Sequence, residues 1–336
     1  MKSYLRWLTL VFGILSSLGI GYYLSQGQRM MEEATLKLKE KTKGNYANYI
    51  VFSRGLVLSE IIDRIEVDRG SIWIVDPADA EGTLREVVAE DGSANLMPSW
   101  SFDKSKIVFA SNRGNNGDLS DESPFLSLWV LNLKNGSLKQ ITSSGGHDWT
   151  PAWSPDGSQI AYASTAGSED PDDVSNLNIW VVDADGQNAR QLADNGMQDE
   201  DPVFSADGKM IYYVAATDEC YALWQVENSP AAKASAISDA DGQIVCGEDP
   251  SLSPDGQMLY YWSNQSGQFE AIDLFSGKIF LFSYDALEPW ISPDEQSFVY
   301  VGDLDFAAAG DLYVSDLDGE NAVQLTSGGQ DMFPRW

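Results

Sequence analysis

Short apolar runs separated by turns that contain Gly or Pro fill most of this 336-residue chain. In TPAWSPDGSQIAYAS (residues 150–164), an apolar run meets a Pro-Asp-Gly turn and continues into a run rich in β-branched and aromatic residues. Because Pro presets φ and Gly supplies a positive φ, this pattern predicts a tight β-hairpin. A second hairpin with an Asp-Gly turn is predicted downstream in NIWVVDADGQNARQLA, residues 178–193. The two hairpins together predict a four-stranded antiparallel unit.

The same phrase recurs along the chain, which indicates a repeat protein. Its copies begin at residues 97, 150, 201, 249 and 288, and a last fragment, DMFPRW, ends the chain. The prolines that mark the copies lie 39 to 53 residues apart: Pro98, Pro151, Pro202, Pro250, Pro289 and Pro334. Four-stranded units with a period of 40–50 residues are typical of the blades of a β-propeller.

The two ends of the chain complement each other. Residues 48–54, 70–76 and 83–89 match the second, third and fourth strands of the unit, while residues 331–336 match the first. The sequence therefore predicts an all-β fold: a six-bladed β-propeller over residues 45–336, closed by pairing of the N- and C-terminal strands. Such closure leaves no open sheet edge between the first and last units.

The repeat resembles that of a known family. Its WSPDG turn (residues 153–157) and IWVVDADGQNARQL hairpin (residues 179–192) are similar to those of TolB-type, WD40-like (PD40) six-bladed propellers. The resemblance covers about residues 45–336. The resemblance implies that the protein acts either as a protein-binding platform of the bacterial envelope or as a gating propeller of the kind attached to peptidases. Residues 1–44 leave no room for the additional α/β domain of TolB proteins or the hydrolase domain of the peptidases, so we expect a departure from both kinds of relative.

The N-terminus predicts a membrane anchor. Lys2 and Arg6 precede an uncharged stretch at residues 7–24, whose length fits a bilayer-spanning helix. We expect residues 1–27 to form this anchor, crossing the membrane through residues 4–24, with a cleaved signal peptide as the alternative. Residues 28–44 are predicted to form a charged helical stalk.

The two cysteines indicate the cellular compartment in which the propeller lies. Cys220 is predicted to open the third strand of its blade and Cys246 to end the fourth. Adjacent antiparallel strands bring these positions together, so we expect a disulfide, with two buried thiols as the alternative. A disulfide predicts a propeller outside the cytoplasm, in the periplasm or at the cell surface.

The net charge and the absence of catalytic motifs restrict the classes of function that this protein can have. The net charge is −30, and residues 45–336 hold 48 acidic but only 14 basic side chains. Such a surface repels nucleic acid, so nucleic-acid binding is excluded, and no small-molecule cofactor is expected. The sequence contains no G-x-S-x-G, H-E-x-x-H, C-x-x-C or P-loop motif, which predicts a protein that is not an enzyme.

Acidic residues concentrate in loops that the propeller topology places on one face. These are the loops joining blades and the long insertions at residues 112–127 and 164–178. The predicted binding residues are Asp118, Asp121, Glu122, His147, Asp148, Glu169, Asp170, Asp172, Asp173, Asp201, Asp249, Glu288 and Asp331. Oxygen ligands in this number suit Ca²⁺, but a solvated acidic rim is the preferred interpretation, and no metal site is assigned.

These features predict a non-enzymatic, membrane-anchored extracytoplasmic propeller. It would serve as a protein-binding scaffold or accessory subunit of an envelope complex, with the acidic loop face as the binding surface. Two alternatives remain open. One is an extracytoplasmic hydrolase or lyase that uses paired carboxylates at the central channel, and the other is a carbohydrate- or cation-binding module.

Overall fold

The computed structural model describes most of the chain after residue 46. The described residues are 47–55, 58–61, 64–67, 70–89, 93–114, 125–193, 195–282, 287–302, 310–328 and 330–336. The predicted anchor (1–27) and stalk (28–44) lie outside them. Within the described ranges, none of the helices has the length and apolar character needed to cross a membrane.

Six four-stranded antiparallel sheets form the blades, and each sheet keeps its strands in sequence order from the axis outward, except blade 1. Blade 1 contains β1 (Ile50–Arg54), β4 (Ser71–Val75), β5 (Arg85–Val88) and β26 (Asp331–Arg335). Blade 2 contains β6 (Asn95–Trp100), β7 (Lys106–Ser111), β8 (Ser127–Asn132) and β9 (Ser137–Gln140). Blade 3 contains β10 (Asp148–Trp153), β11 (Gln159–Ser164), β12 (Asn178–Asp183) and β13 (Arg190–Gln191).

The remaining blades follow the same plan. Blade 4 contains β14 (Asp199–Phe204), β15 (Met210–Ala216), β16 (Tyr221–Glu227) and β17 (Ser235–Ala236). Blade 5 contains β18 (Glu248–Leu252), β19 (Met258–Ser263), β20 (Gln268–Asp273) and β21 (Ile279–Phe282). Blade 6 contains β22 (Leu287–Ile291), β23 (Ser297–Gly302), β24 (Asp311–Asp316) and β25 (Val323–Gln324). A separate hairpin, β2 (Leu58–Ile61) and β3 (Arg64–Val67), precedes β4, and short helical turns span Pro77–Asp79, Ala80–Thr83 and Val174–Asn176.

The innermost strands contact one another in the order β6, β10, β14, β18, β22 and β26, and β26 also contacts β6. This arrangement is a six-bladed β-propeller, as the repeat predicted. Apolar side chains fill the spaces between neighbouring blades. Between blades 2 and 3, for example, Val108 and Leu128 pack with Trp153, Ile160 and Tyr162. Fully burying one such side chain stabilises the fold by about 1.5–3 kcal/mol.

The recurring Ser-Pro-Asp-Gly phrase builds a side-chain network inside each first hairpin. In blade 3, Ser154 Oγ donates to Asp156 Oδ1 (2.7 Å) and accepts from the Gln159 amide (2.9 Å). Gly157 adopts φ +69°, the conformation that the turn requires. Equivalent Ser–Asp pairs occur in blades 2, 4, 5 and 6, with Ser101, Ser205, Ser253 and Ser292 as donors. The phrase is therefore repeated because blades 2 to 6 each need the same turn.

Blade 1 joins the two ends of the described chain. Val51, Ser53 and Arg54 of β1 are in register with Arg335, Met332 and Asp331 of β26. The Arg54 guanidinium donates to both carboxylate oxygens of Asp331, at 2.6 and 2.8 Å. The Trp336 indole N–H also donates to the Asn48 carbonyl (3.1 Å). The inner strand of this blade thus comes from the end of the sequence and the other three strands from its beginning.

A disulfide joins Cys220 to Cys246, with the two Cα atoms 5.9 Å apart. Cys220 directly precedes β16, as predicted. Cys246 does not end the fourth strand, because β17 spans only Ser235–Ala236. Instead, it lies in the connection to blade 5 and forms an isolated β-bridge with Ala222. The bond therefore ties blade 4 to the segment that leads into the next blade.

Candidate functional site

Each innermost strand carries a β-bulge at the residue before its proline. At this position six non-glycine residues have a positive φ, between 44° and 54°: Met97, Thr150, Asp201, Asp249, Glu288 and Phe333. The strand register shifts there in every blade. Such a conformation is uncommon for residues other than Gly and costs free energy. Its presence in all six innermost strands indicates that the bulge is a regular structural feature of the ring.

These bulges surround a cavity on the propeller axis. The cavity is narrow: it has about 20 Å³ of room for water-sized molecules within about 330 Å³ of space that includes open solvent. All six innermost strands contribute to its wall, through residues that include Met97, Thr150, Asp201, Pro250, Trp290 and Arg335. Because the wall is built from the strands themselves rather than from loops, its side chains are held on the most rigid part of the fold.

The residues at the six bulges divide the ring into two halves. Blades 4, 5 and 6 place carboxylates there, Asp201, Asp249 and Glu288, and all three are partly buried. Blades 1 and 2 place Phe333 and Met97 at the same position, and blade 3 places Thr150. One half of the ring is therefore acidic and the other is largely apolar.

Burial and mutual repulsion favour protonation of the axial carboxyls. Burial, followed by the charge of Glu200, raises the pKa of Asp201. Burial, followed by the charge of Asp201, raises that of Asp249, and burial together with Asp249 raises that of Glu288. The guanidinium of Arg335 opposes the rise in pKa at Asp201, Asp249 and Glu288. The four side chains thus act on one another electrostatically across the axis.

Two further contacts hold this arrangement. The Arg335 guanidinium lies over the Trp290 ring, 4.4 Å from the ring centroid, which fixes the cation beside the cavity. The Phe333 backbone amide donates a hydrogen bond to Glu288 Oε2. Both residues come from the terminal strand β26, so the last strand of the propeller contributes directly to the acidic half. Sequence reasoning did not identify Arg335, because nothing in the fragment DMFPRW shows which way its side chains point.

A second set of acidic residues occupies the first position of the innermost strands, two residues earlier. Asp148 and Asp331 are fully buried in this position. Asp148 accepts hydrogen bonds from Ser164 Oγ (2.5 Å) and Ser144 Oγ (2.9 Å), and burial raises its pKa to about 6. Asp331 pairs with Arg54 inside blade 1. The structure therefore places these two predicted binding residues inside the blades, where they organise strands rather than face a partner.

The exposed acidic residues lie in the loop between β11 and β12. Glu169, Asp170, Asp172 and Asp173 are all exposed there. The base of the loop is fixed beside the blade-joining segment, because Thr165 Oγ1 accepts from the His147 amide (2.9 Å) and donates to the Pro171 carbonyl (2.8 Å). This contact places the loop at the end of the ring where the innermost strands begin. Asp118, Asp121 and Glu122 lie outside the described residues.

His147 packs between aromatic rings at the same end of the ring. Its ring meets Phe125 edge-on at 5.3 Å and lies 6.0 Å from Trp149. Burial lowers its pKa, although the charge of Asp172 opposes the change, so the neutral imidazole is favoured. This packing suits a structural residue at a loop base.

Metal binding has no arranged site in the described part of the chain. Across those residues, no group of three or more His, Cys, Asp or Glu side chains is placed to hold a metal ion. The Ca²⁺ alternative stays a prediction for the acidic loops as a whole.

A ring of six four-stranded sheets around an acidic cavity defines a six-bladed β-propeller. Residues 66–278, more than half of the chain, match the TolB beta propeller domain, and the chain therefore belongs to this family. The resemblance drawn from the WSPDG repeat is confirmed. A protein of Francisella tularensis subsp. holarctica (strain OSU18) named Tol-Pal system protein TolB is 25% identical over 141 residues, 42% of this chain. Its namesake in Anaeromyxobacter dehalogenans (strain 2CP-C) is 28% identical over 147 residues, 43% of this chain. In both cases the match spans 29% of the relative's length.

Solved structures share the fold. TolB from Acinetobacter baumannii superposes with a TM-score of 0.67 at 20% identity, covering 87% of this chain and 67% of that one. A chain of a nidogen/laminin complex gives 0.58 at 11% identity, covering 85% of this chain and 97% of that one. At these identities the likeness shows the fold alone.

The axial carboxyls predict a stability that depends on pH. In an unfolded chain such carboxyls titrate near pH 4, whereas in the fold the highest, Glu288, titrates at about 8. Between these values the folded state binds more protons than the unfolded state, so the free energy of unfolding falls as pH rises. The stabilising contribution is complete below about pH 4 and is lost by about pH 8.

Urea unfolding between about pH 5 and about pH 8 measures this effect. We expect the triple variant Asp201→Asn, Asp249→Asn, Glu288→Gln to show a smaller fall in midpoint than the natural chain. The matched control neutralises three exposed carboxylates, Glu169→Gln, Asp170→Asn and Asp172→Asn, and should keep the natural pH dependence. Equal pH dependence in the axial variant and the natural chain would contradict the prediction.

Proposed function

We propose that this chain is a non-enzymatic, membrane-anchored propeller that binds a basic protein partner outside the cytoplasm, as a scaffold or accessory subunit of an envelope complex. The observation that carries the proposal is the acidic half of the axial ring, Asp201, Asp249 and Glu288, set on rigid strands beside a cavity. Burial and mutual repulsion raise the pKa of these three carboxyls, so a further cation supplied by a partner would favour their ionised forms, as Arg335 already does in part.

The neighbouring loop supports the same partner chemistry. Glu169, Asp170, Asp172 and Asp173 are exposed at the end of the ring where the innermost strands begin. A basic partner docking there would reach the loop and the cavity mouth together. With a chain net charge of −30, long-range attraction would also speed its association. The relatives' name, Tol-Pal system protein, is consistent with an envelope assembly.

The disulfide supports the proposed location outside the cytoplasm. Bonds such as Cys220–Cys246 persist in oxidising spaces and are rare in the cytoplasm. Anchoring through residues 4–24 rests on the uncharged stretch in the sequence, whose length suits a membrane span.

A hydrolase or lyase is the second candidate, because the cavity carries acidic groups with unequal surroundings. Burial and neighbouring charge raise the pKa of Asp201 and Asp249, and a proton shared between such carboxyls suits general acid–base catalysis. If this candidate is right, purified protein turns over an oligosaccharide or a peptide, and Asp201→Asn abolishes the turnover.

Affinity purification from membranes of the native host tests the leading proposal. We expect a basic protein to travel with the full chain and to be lost from the variant Asp201→Asn, Asp249→Asn, Glu288→Gln. A matched control neutralises carboxylates in turns at the opposite end of the ring, Asp185→Asn, Asp318→Asn and Glu320→Gln, and should retain the partner. A propeller that runs alone and monomeric across gentle detergents would refute the scaffold.

A further inference from the structure

The outermost strand of blade 5 differs from the outer strands of the other blades. β21 is four residues long and reads Ile-Phe-Leu-Phe, with no charged residue and no bulge in its register. β13, β17 and β25 are only two residues long, while β5 and β9 contain charged residues. Short length, charge and bulges are the devices by which proteins protect an exposed sheet edge. β21 has none of them.

The outward backbone groups of β21 follow from its register. The hairpin between β20 and β21 is closed by the Asp273 amide, which donates to the Lys278 carbonyl at 3.0 Å. Hydrogen-bonded and non-hydrogen-bonded pairs alternate from this point, so Ile279 and Leu281 turn their N–H and C=O groups away from β20. Among the described strands, β20 alone pairs with β21. The edge therefore offers two donors and two acceptors in strand geometry.

The side chains beside this edge are apolar and exposed, apart from Lys278, whose ammonium lies 4.6 Å from the Phe280 ring centroid. Leu281 is 63% exposed, Phe280 is 39% exposed, and Phe275 in the preceding turn is fully exposed. Leu281 and Phe280 lie on opposite faces of the sheet, because successive residues of a strand alternate. Their neighbours Ile279 and Phe282 pack into the cores on either side and hold the strand in place. Other exposed large apolar residues of the described chain lie singly, whereas these three lie within seven residues of one another.

Charge near the edge indicates which strand fits. A turn at residues 239–243 is fixed against the β20–β21 hairpin, where the Ala240 amide donates to the Gly277 carbonyl (2.9 Å). It brings Asp239 and the exposed Asp241 to the turn end of β21. A second copy of this chain would bring another net −30 to the contact, and a four-residue edge buries far less than the roughly 1,200 Å² of a stable interface. A basic segment of another protein avoids the charge repulsion, and a short extended segment can bind through main-chain pairing without an interface of that size.

We propose that β21 is a second interaction site, which accepts an extended segment of a partner protein as a fifth strand of blade 5. The segment places apolar residues over Phe280 on one face of the sheet. On the other face, that of Leu281, it places Lys or Arg, whose aliphatic stems cover Leu281 and whose charged ends reach Asp239 and Asp241. Main-chain hydrogen bonds to Ile279 and Leu281 supply the pairing. This site lies at the outer rim of the ring, whereas the surface proposed above lies at its axis, and it is independent of that proposal.

Fluorescence anisotropy with a capped, labelled peptide that alternates lysine and valine tests the site on the full chain. Leu281→Pro removes one outward donor without touching the ladder to β20, and we expect it to weaken binding about tenfold. Leu281→Ala keeps the donor and trims the side chain, so it should weaken binding less than Leu281→Pro does. Unfolding midpoints establish that both variants are folded.

Two probes do not depend on how the variants fold. The same peptide N-methylated on every amide has no main-chain N–H to donate, and we expect it not to bind the natural chain. A peptide with glutamate in place of lysine should bind much more weakly. Equal binding of the N-methylated peptide, or unchanged binding by Leu281→Pro, would overturn the proposal. A dimer in sedimentation that requires Leu281 would also overturn it, because the occupant would then be a second copy.

Discussion

A chain that ends at Gln330 is expected to lose the cooperative unfolding transition of the natural protein. The truncation removes β26, which pairs with β1 and supplies the innermost strand of blade 1. It also removes Met332, Phe333 and Trp336 from the cores on either side. The inner edge of β1 would be left with unpaired backbone groups beside exposed apolar surface. Circular dichroism during thermal and urea unfolding would show a broad transition of low amplitude.

Adding the missing segment back provides the control. A synthetic peptide of residues 331–336 should restore part of the transition, because it can again pair with β1 and fill the adjoining cores. The same peptide with its residues scrambled should not. If the truncated chain unfolds at the midpoint and with the denaturant slope of the full chain, pairing of the termini is not what closes the ring.

Asp331→Ala is expected to destabilise the propeller by about 3 kcal/mol, because it leaves a largely buried cation, Arg54, without its partner. Asp331 is fully buried, and it holds Arg54 through two hydrogen bonds of 2.6 and 2.8 Å. The Arg54 guanidinium also lies 4.9 Å from the centroid of the Trp73 ring, so it has little freedom to move to solvent. Urea unfolding at neutral pH measures the loss.

A double-mutant cycle separates the pair from its surroundings. Arg54→Met combined with Asp331→Ala should cost less than the sum of the two single changes, because no isolated charge then remains buried. Lys209→Ala is the matched control, since it breaks the exposed pair that Lys209 makes with Asp207 at 2.8 Å, and it should leave the midpoint unchanged. Additive effects at Arg54 and Asp331 would show that the two residues act separately.

The blades were predictable because their signals are local. Each Ser-x-Asp turn is specified within a few residues, as in Ser154 and Asp156, and the strands on either side alternate in the ordinary way. The composite blade 1 could also be predicted from the sequence, because the strands left over at its two ends together match one repeat. Two features departed from expectation. Cys246 lies beyond the fourth strand, because β17 is shorter than the pattern suggested, and the hairpin of β2 and β3 was not predicted.

The site was harder to predict because its residues depend on distant partners. Asp148 and Asp201 occur in nearly the same phrase, yet one is buried under Ser144 and Ser164 while the other lines the axis. No sequence rule assigns a positive φ to Asp201 or Thr150, because neither is glycine. Arg335 reaches the cavity only because β26 completes blade 1. The distance to the following proline separates these roles. Asp201, one residue before its proline, lines the axis, whereas Asp148, three residues before its proline, is buried inside the blade.

The composite first blade has a consequence for biosynthesis. Ribosomes release a protein from its N-terminus onward, and domains generally fold as they emerge. Here three strands of one sheet are made before the strands of the other blades, and they must wait for the fourth, which follows all of them. Nascent chains therefore carry an unfinished sheet until β26 is made, and termination before β26 yields a product that quality-control proteases should recognise.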